Sequence, residues 1–175
     1  TIKSAQITGI DIAEQMLQVA EQKIAQKKLQ HRIHLLHGDA EHLPFGDNTF
    51  DVVMVSFGVR NFTNLLQGLQ EIYRVLKPNG TVYVLEFSTP VAFPVKQVYL
   101  FYIKYILPWI GSLISADKQA YTYLPASTLT FPQRQAFLNR LNEAGFNKLQ
   151  YFALSMGITC MYKAVVSNAK KTVPQ

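Results

Sequence analysis

The chain has 175 residues, enough for one domain with a real hydrophobic core. Hydrophobic residues at 49% against 16% charged exclude a disordered polymer, and a single cysteine, Cys160, excludes a disulfide framework and points to a reducing compartment. Lys and Arg exceed Asp and Glu by 17 to 11, a net charge of +6. The basic residues are scattered and not interleaved with aromatics, so no nucleic-acid groove is expected and the surplus amounts to a mild bias toward membrane surfaces.

The start at Thr1-Ile2-Lys3 carries no Met or signal peptide and runs almost at once into a strand, which is expected of a cut chain. Gln6 to Asp11 reads as a buried strand ending in a carboxylate. Ile12, Met16, Leu17, Ala20 and Ile24 follow at helical spacing, with Glu14 in the first turn and Lys23, Lys27 and Lys28 in the last. Ile33 to His37 is a second strand, capped by Gly38-Asp39. A polar loop with Pro44, Gly46 and Asp47-Asn48 leads to a third strand, Phe50 to Ser56. Leu65 to Leu76 is helical by pattern, Lys77-Pro78-Asn79-Gly80 is a turn signal, and Thr81 to Phe87 is the next strand.

The aromatic segment 93–115 is expected to be helical, bent or broken at Pro108. The longest apolar stretch, Val91 to Ala116, is interrupted by Pro94, Lys96, Lys104, Pro108 and Gly111, so it is not a transmembrane span. Pro132 suits a first helical position, and Gly145 closes the helix that follows. Lys148 to Leu154 and Ile158 to Val166 form a hairpin turning at Met156-Gly157, and Asn168 to Gln175 is expected to fray. Cys160 lies in an apolar run and reads as a small core residue.

Strand–helix alternation followed by a hairpin implies an α/β fold. Its sheet is mainly parallel, with helices on both faces and an antiparallel addition at one edge. Ligands in such sheets bind beyond the carboxyl ends of the strands. The residues to weigh are therefore Asp11, Asp39, Ser56 to Asn61, and Glu86. A carboxylate at a strand tip can accept both hydroxyls of a ribose, though Asp11 suits an N-cap equally well. Asp39 can accept from an adenine amino group while the Ala40 N–H meets a ring nitrogen. The two in register suggest an adenosine across adjacent strand ends.

Three strings go further: Gly38-Asp39-Ala40-Glu41 with Leu43-Pro44-Phe45, Phe50-Asp51-Val52-Val53, and Arg74 to Gly80. They resemble class I S-adenosylmethionine (SAM) methyltransferases. Ser56 to Asn61, Val84 to Ser88, Leu107-Pro108 with Ile110-Gly111, and Ala120-Tyr121 with Tyr123-Leu124 resemble the ubiquinone/menaquinone C-methyltransferase family. The aromatic stretch looks most like its menaquinone branch, with the ubiquinone branch as the alternative. This resemblance implies a Rossmann-like domain over 1–167, with 91–130 as a substrate-covering insertion and 168–175 as tail. It also implies SAM as cofactor, a prenylated quinol as substrate, peripheral membrane contact and a cytoplasmic location at the inner membrane face, and it leaves a homodimer open.

Carried over position by position, Asp11 falls on the ribose ligand with Ile12 beside it, Asp39 and Ala40 on the adenine contacts, and Ser56 at the methionine end. The family's glycine-rich loop and first strand have no counterpart, so the sheet is expected to lack its middle and the chain to bind SAM poorly. A catalytically inactive methyltransferase-like module is therefore a rival reading, as is a nucleotide-dependent oxidoreductase on Asp11 alone.

For ring methylation, a group must help remove a phenolic proton. Arg60 cannot be an ordinary base, since a guanidinium stays protonated; it suits stabilisation of a developing phenolate, with Asn61 orienting it or a water. Glu86 is a candidate base or hydrogen-bond partner. Phe93, Tyr99, Phe101, Tyr102, Tyr105 and Trp109 suggest a lid for a prenyl tail, and Tyr121 and Tyr123 contacts to a quinol oxygen. His31, His34, His37 and His42 lack convergent metal geometry, so no metal is expected.

Overall fold

The computed structural model describes residues 5–114 and 118–168; the side chains of 111–114, 118–122 and 124 also lie outside the description, as does most of the expected tail. Strand β1 (Ile7–Asp11) pairs in parallel with β2 (Ile33–His37), from Ile7 opposite Ile33 to Asp11 opposite His37. Helix α1 (Glu14–Gln26) makes the crossover between them and buries none of its residues. These two strands form one sheet.

The second sheet holds β3 (Phe50–Ser56), β4 (Leu76–Phe87), β5 (Asn147–Leu154) and β6 (Thr159–Val165) in the order β3-β4-β6-β5. β3 and β4 run parallel, whereas β4–β6 and β6–β5 are antiparallel, so the terminal hairpin extends the sheet as its sequence suggested. Among the described residues β1 pairs only with β2 and β3 only with β4. The strand order thus carries the expected break in its middle. Each of those edges presents ladder donors and acceptors that no described strand satisfies.

Helices α2 (Leu65–Val75) and α6 (Gln135–Glu143) cover one face of the larger sheet. Leu69, Ile72, Tyr73, Phe137, Leu138 and Leu141 pack there against Val82, Val84, Tyr162 and the fully buried Cys160. The opposite face differs from the expectation of helices on both sides: Val52 is 50% and Met54 75% exposed. α1 follows β1 and packs beside β1 and β2. Gly145 ends α6 at φ +103, a backbone conformation open to glycine and awkward for other residues.

Three local expectations are corrected. The segment from Lys77 to Gly80 is not a free turn between helix and strand, because β4 already begins at Leu76 opposite Phe50. Asn79 takes the left-handed backbone (φ 62), and the β3 register jumps from Leu76 to Thr81, so the segment is a bulge within the strand, tied down by Asn79 N donating to Val166 O and Val166 N to Gly80 O. The aromatic segment is not broken at Pro108. Helix α3 (Val95–Phe101) continues through a π turn at Tyr102–Ile106 into α4 (Leu107–Ile114), and the irregularity precedes the proline. Pro132 is not the first residue of α6. Before that helix Gln133 Nε2 donates to Thr128 O at 2.6 Å, and Arg134, at φ 50, donates its N–H to the Tyr162 hydroxyl at 2.8 Å. These bonds fix a turn that must end before helix can begin. A further helix, α5 (Lys118–Thr130), tolerates Pro125 within it and had no signal in the hydrophobic pattern.

Candidate active site

Asp11 and Asp39 stand at the carboxyl ends of neighbouring parallel strands, where the Gly38 N–H donates to Asp11 O at 3.1 Å. Asp11 Oδ1 accepts from the Ala13 N–H at 2.9 Å, which leads the chain into α1, and the side chain is otherwise exposed. One oxygen of this carboxylate therefore shapes the helix entry, and the side chain stays exposed at the strand end. Ile12 beside it is exposed. Asp39 Oδ1 accepts from the Glu41 N–H at 2.8 Å, and Oδ2 lies 3.5 Å from His42 Nδ1. Ala40 sits half-buried within that turn.

Glu41 joins the two halves of the site. Its carboxylate accepts from the Thr63 N–H at 2.6 Å and the Asn64 N–H at 2.9 Å. Gln67 Nε2 donates to Glu41 O at 3.2 Å from the first turn of α2. The same loop is clamped further on by Arg74, which donates to Glu71, Asp47, Phe45 O and Leu43 O. Position along the chain gave no hint of these partners, since they lie on separate elements.

After β3, Ser56 is exposed at the strand end and Phe57 turns into the left-handed region at φ 57. A bulky residue there stores strain on the order of 1–3 kcal/mol, a feature that gathers at functional loops. The turn folds Arg60 back, within a 3-10 turn at Val59–Asn61. Arg60 Nη1 donates to Phe57 O at 2.9 Å and to Glu86 Oε1 at 2.5 Å. Glu86, at the end of β4, is fully buried and also accepts from the Phe87 N–H at 2.9 Å. The Phe87 ring lies 5.3 Å from the guanidinium carbon and stacks against Phe57. Glu86 is thus a hydrogen-bond partner of Arg60, one of the two roles expected of it.

Arg60 lines a cleft of about 440 Å³ with Val59, Phe62, Leu65, Tyr123 and Phe131. Tyr123 reaches across it, and its hydroxyl donates to Asn61 Oδ1 at 2.9 Å. The structure therefore brings Arg60, Asn61, Glu86 and Tyr123 together. Phe101 and Trp109 do not line this cleft; both are exposed, and of the expected lid only Tyr99 is buried. The Tyr121 side chain lies outside the described residues. The histidines do not converge: His37 Nε2 lies 3.0 Å from Ile12 O and His42 Nε2 2.8 Å from Gln67 Nε2.

The adenosine half of a SAM site fits these residues, with two carboxylates on adjacent strand ends. Ser56, expected at the methionine end, lies exposed at the end of β3, on a sheet edge that no described strand pairs.

Among solved structures, the [4+2]-cyclase SpnF superposes with a TM-score of 0.67 at 20% identity, covering 94% of this chain and 68% of that one. A SAM-dependent methyltransferase from Aquifex aeolicus superposes at 0.60 and 17% identity, covering 94% and 70%. At that distance the likeness shows the fold alone. By sequence, the demethylmenaquinone methyltransferase of Porphyromonas gingivalis is 41% identical over 157 residues, 90% of this chain and 64% of that protein. The demethylmenaquinone methyltransferase of Bacteroides fragilis is 40% identical over 163 residues, 93% and 66% of the two. The ubiquinone/menaquinone biosynthesis C-methyltransferase UbiE of Haemophilus ducreyi is 39% identical over 161 residues, 92% and 62%. The chain thus spans just under two thirds of the length of these relatives. The family model described as the ubiE/COQ5 methyltransferase family matches residues 1–166, and the chain belongs to that family.

Proposed function

We propose that this chain forms the adenosine edge and the substrate side of a SAM-dependent C-methyltransferase acting on the ring of a prenylated quinol, with demethylmenaquinol as substrate. The observation that carries the reading is the Arg60–Asn61 turn. It is held from behind by buried Glu86, latched in front by Tyr123, and faces a cleft wide enough for one aromatic ring. Bound SAM supplies an electrophilic methyl group. The protein's task is to make a ring carbon nucleophilic and aim it. Arg60 offers a fixed positive charge to a developing phenolate oxygen, while Glu86 keeps the guanidinium from swinging away. Asn61 Oδ1 is engaged by the Tyr123 hydroxyl, which leaves its amide N–H groups to hold the ring hydroxyl or a water. Asp11 and Asp39 hold the adenosine.

The names of the relatives favour the menaquinone branch; the name of the Haemophilus relative keeps the ubiquinone branch as a second reading. We place the enzyme in the cytoplasm, at the inner membrane face, because a prenylated substrate resides in the bilayer. No helix among the described residues is long and apolar enough to cross a membrane. The test is transfer of labelled methyl from SAM to demethylmenaquinol by the protein that carries this chain, with a demethylated ubiquinol precursor in parallel. Transfer to the second substrate alone moves the assignment to the ubiquinone branch, and transfer to neither, with SAM bound, leaves a non-catalytic methyltransferase-like module.

A further inference from the structure

Helices α3 and α4, joined through their π turn, carry two distinct faces. Tyr99 and Ile103, four residues apart, are buried against the protein. Val98, Phe101, Tyr102, Tyr105 and Trp109 recur at three- and four-residue intervals on the outer side, with Phe101 58%, Tyr105 56% and Trp109 64% exposed. Exposed Val91 and Phe93 extend this surface into the preceding loop. An outward aromatic patch of this extent marks a surface meant to be covered.

Its charge says by what. Between Glu86 and Asp117 the sequence has no Asp or Glu, whereas Lys96 and Lys104 flank the aromatic face, both exposed. Lys104 Nζ lies 5.4 Å from the Tyr105 ring centre, and the Phe101 and Tyr105 rings are 5.4 Å apart. Aromatic rings on one side and lysines at the rim are the chemistry of a helix lying in the plane of an anionic lipid surface. Trp and Tyr settle at headgroup depth while ammonium groups meet lipid phosphates. A second copy of this chain is a poor occupant, since apposed faces would bring like charges together on molecules already at +6.

We propose that the outer face of α3–α4 is a membrane-docking surface for anionic phospholipid. The proposal rests on the quinol reading only for its purpose, because docking there sets α5 and the Arg60 cleft beside the bilayer in which a prenyl tail lies.

Trp109 is the only tryptophan in the chain and stands on this face, so its emission reports docking directly. The protein is titrated, without substrate or SAM, with vesicles of phosphatidylcholine alone and of equal parts phosphatidylcholine and phosphatidylglycerol. The expected result is a blue shift and brightening of Trp109 with the anionic vesicles, and much weaker partition into the neutral ones. Lys104→Glu, an exposed change that leaves the core intact, weakens partition at least about fivefold, since each cation near such a surface contributes roughly that factor. Phe101→Glu abolishes the shift while circular dichroism stays unchanged. The proposal is overturned by unshifted emission at saturating lipid, or by a shift that ignores both substitutions. It is equally overturned if sedimentation shows a dimer that Phe101→Glu dissociates and vesicles do not bind. Because no methyl transfer is measured, failure of docking and failure of the quinol reading are separate results.

Discussion

The Tyr123 hydroxyl donates to Asn61 Oδ1 at 2.9 Å, joining the side chains of α5 and the Arg60 turn across the cleft. It orients the Asn61 amide and sets how closely α5 closes over the site. Tyr123→Phe keeps the ring and removes the latch. Turnover is expected to fall about fivefold, the ~1 kcal/mol of one hydrogen bond, with SAM affinity unchanged. Steady-state kinetics beside calorimetric titration of SAM checks this, and a loss confined to SAM binding would contradict the assigned geometry.

Arg60 and Glu86 form a pair with Glu86 wholly inside the protein. Arg60→Ala is expected to lower turnover by about a hundredfold or more, the scale of losing a fixed charge at a developing oxyanion, while SAM affinity holds. Glu86→Ala leaves the guanidinium uncompensated and costs about 3 kcal/mol of stability in denaturant unfolding. An apolar double replacement, Arg60→Met with Glu86→Leu, restores stability without activity. Equal stability of Glu86→Ala and the parent would show that the pair does not hold Arg60.

Asp39 shapes its turn with one oxygen and offers charge with the whole carboxylate. Asp39→Asn keeps the acceptor for the Glu41 N–H and removes the charge. SAM affinity is expected to fall roughly tenfold, as for a hydrogen bond to a charged group, with the thermal midpoint unchanged. Calorimetric titration reads the first and thermal unfolding the second; undiminished affinity would remove Asp39 from the adenine site.

Two groups contribute to the pH dependence of stability. The Arg74 hydrogen bond holds the Glu71 carboxyl below its ordinary value of 4.5. That stabilisation is present above pH 4.5 and is lost as pH falls through the folded-state value, so Glu71→Gln flattens the acid limb of a stability–pH curve. Burial pushes the Tyr162 hydroxyl above its ordinary 10.0. Its contribution is complete below pH 10 and lost as pH climbs beyond it. Tyr162→Phe flattens the alkaline limb, and costs about 1–2 kcal/mol at neutral pH by orphaning the Arg134 N–H. Urea unfolding across pH reads both limbs.

Much of this protein is local and therefore legible in its sequence. The spacing of apolar residues set β1 to β3, α2 and the hairpin, because side-chain periodicity follows backbone geometry. Asp11, Asp39 and the Arg60 turn stand at or just after strand ends, and Cys160 lies in an apolar run and is buried. The tertiary structure decided what depends on partners distant along the chain. It put Glu86 behind Arg60 across 26 residues, tied Tyr123 to Asn61 across 62, and made Glu41 the bridge to Thr63 and Asn64. It also turned the aromatic segment inside out relative to a simple lid, burying Tyr99 and leaving Phe101 and Trp109 outward. Periodicity marks a helix face as apolar; only packing determines whether that face meets the core or the world outside it.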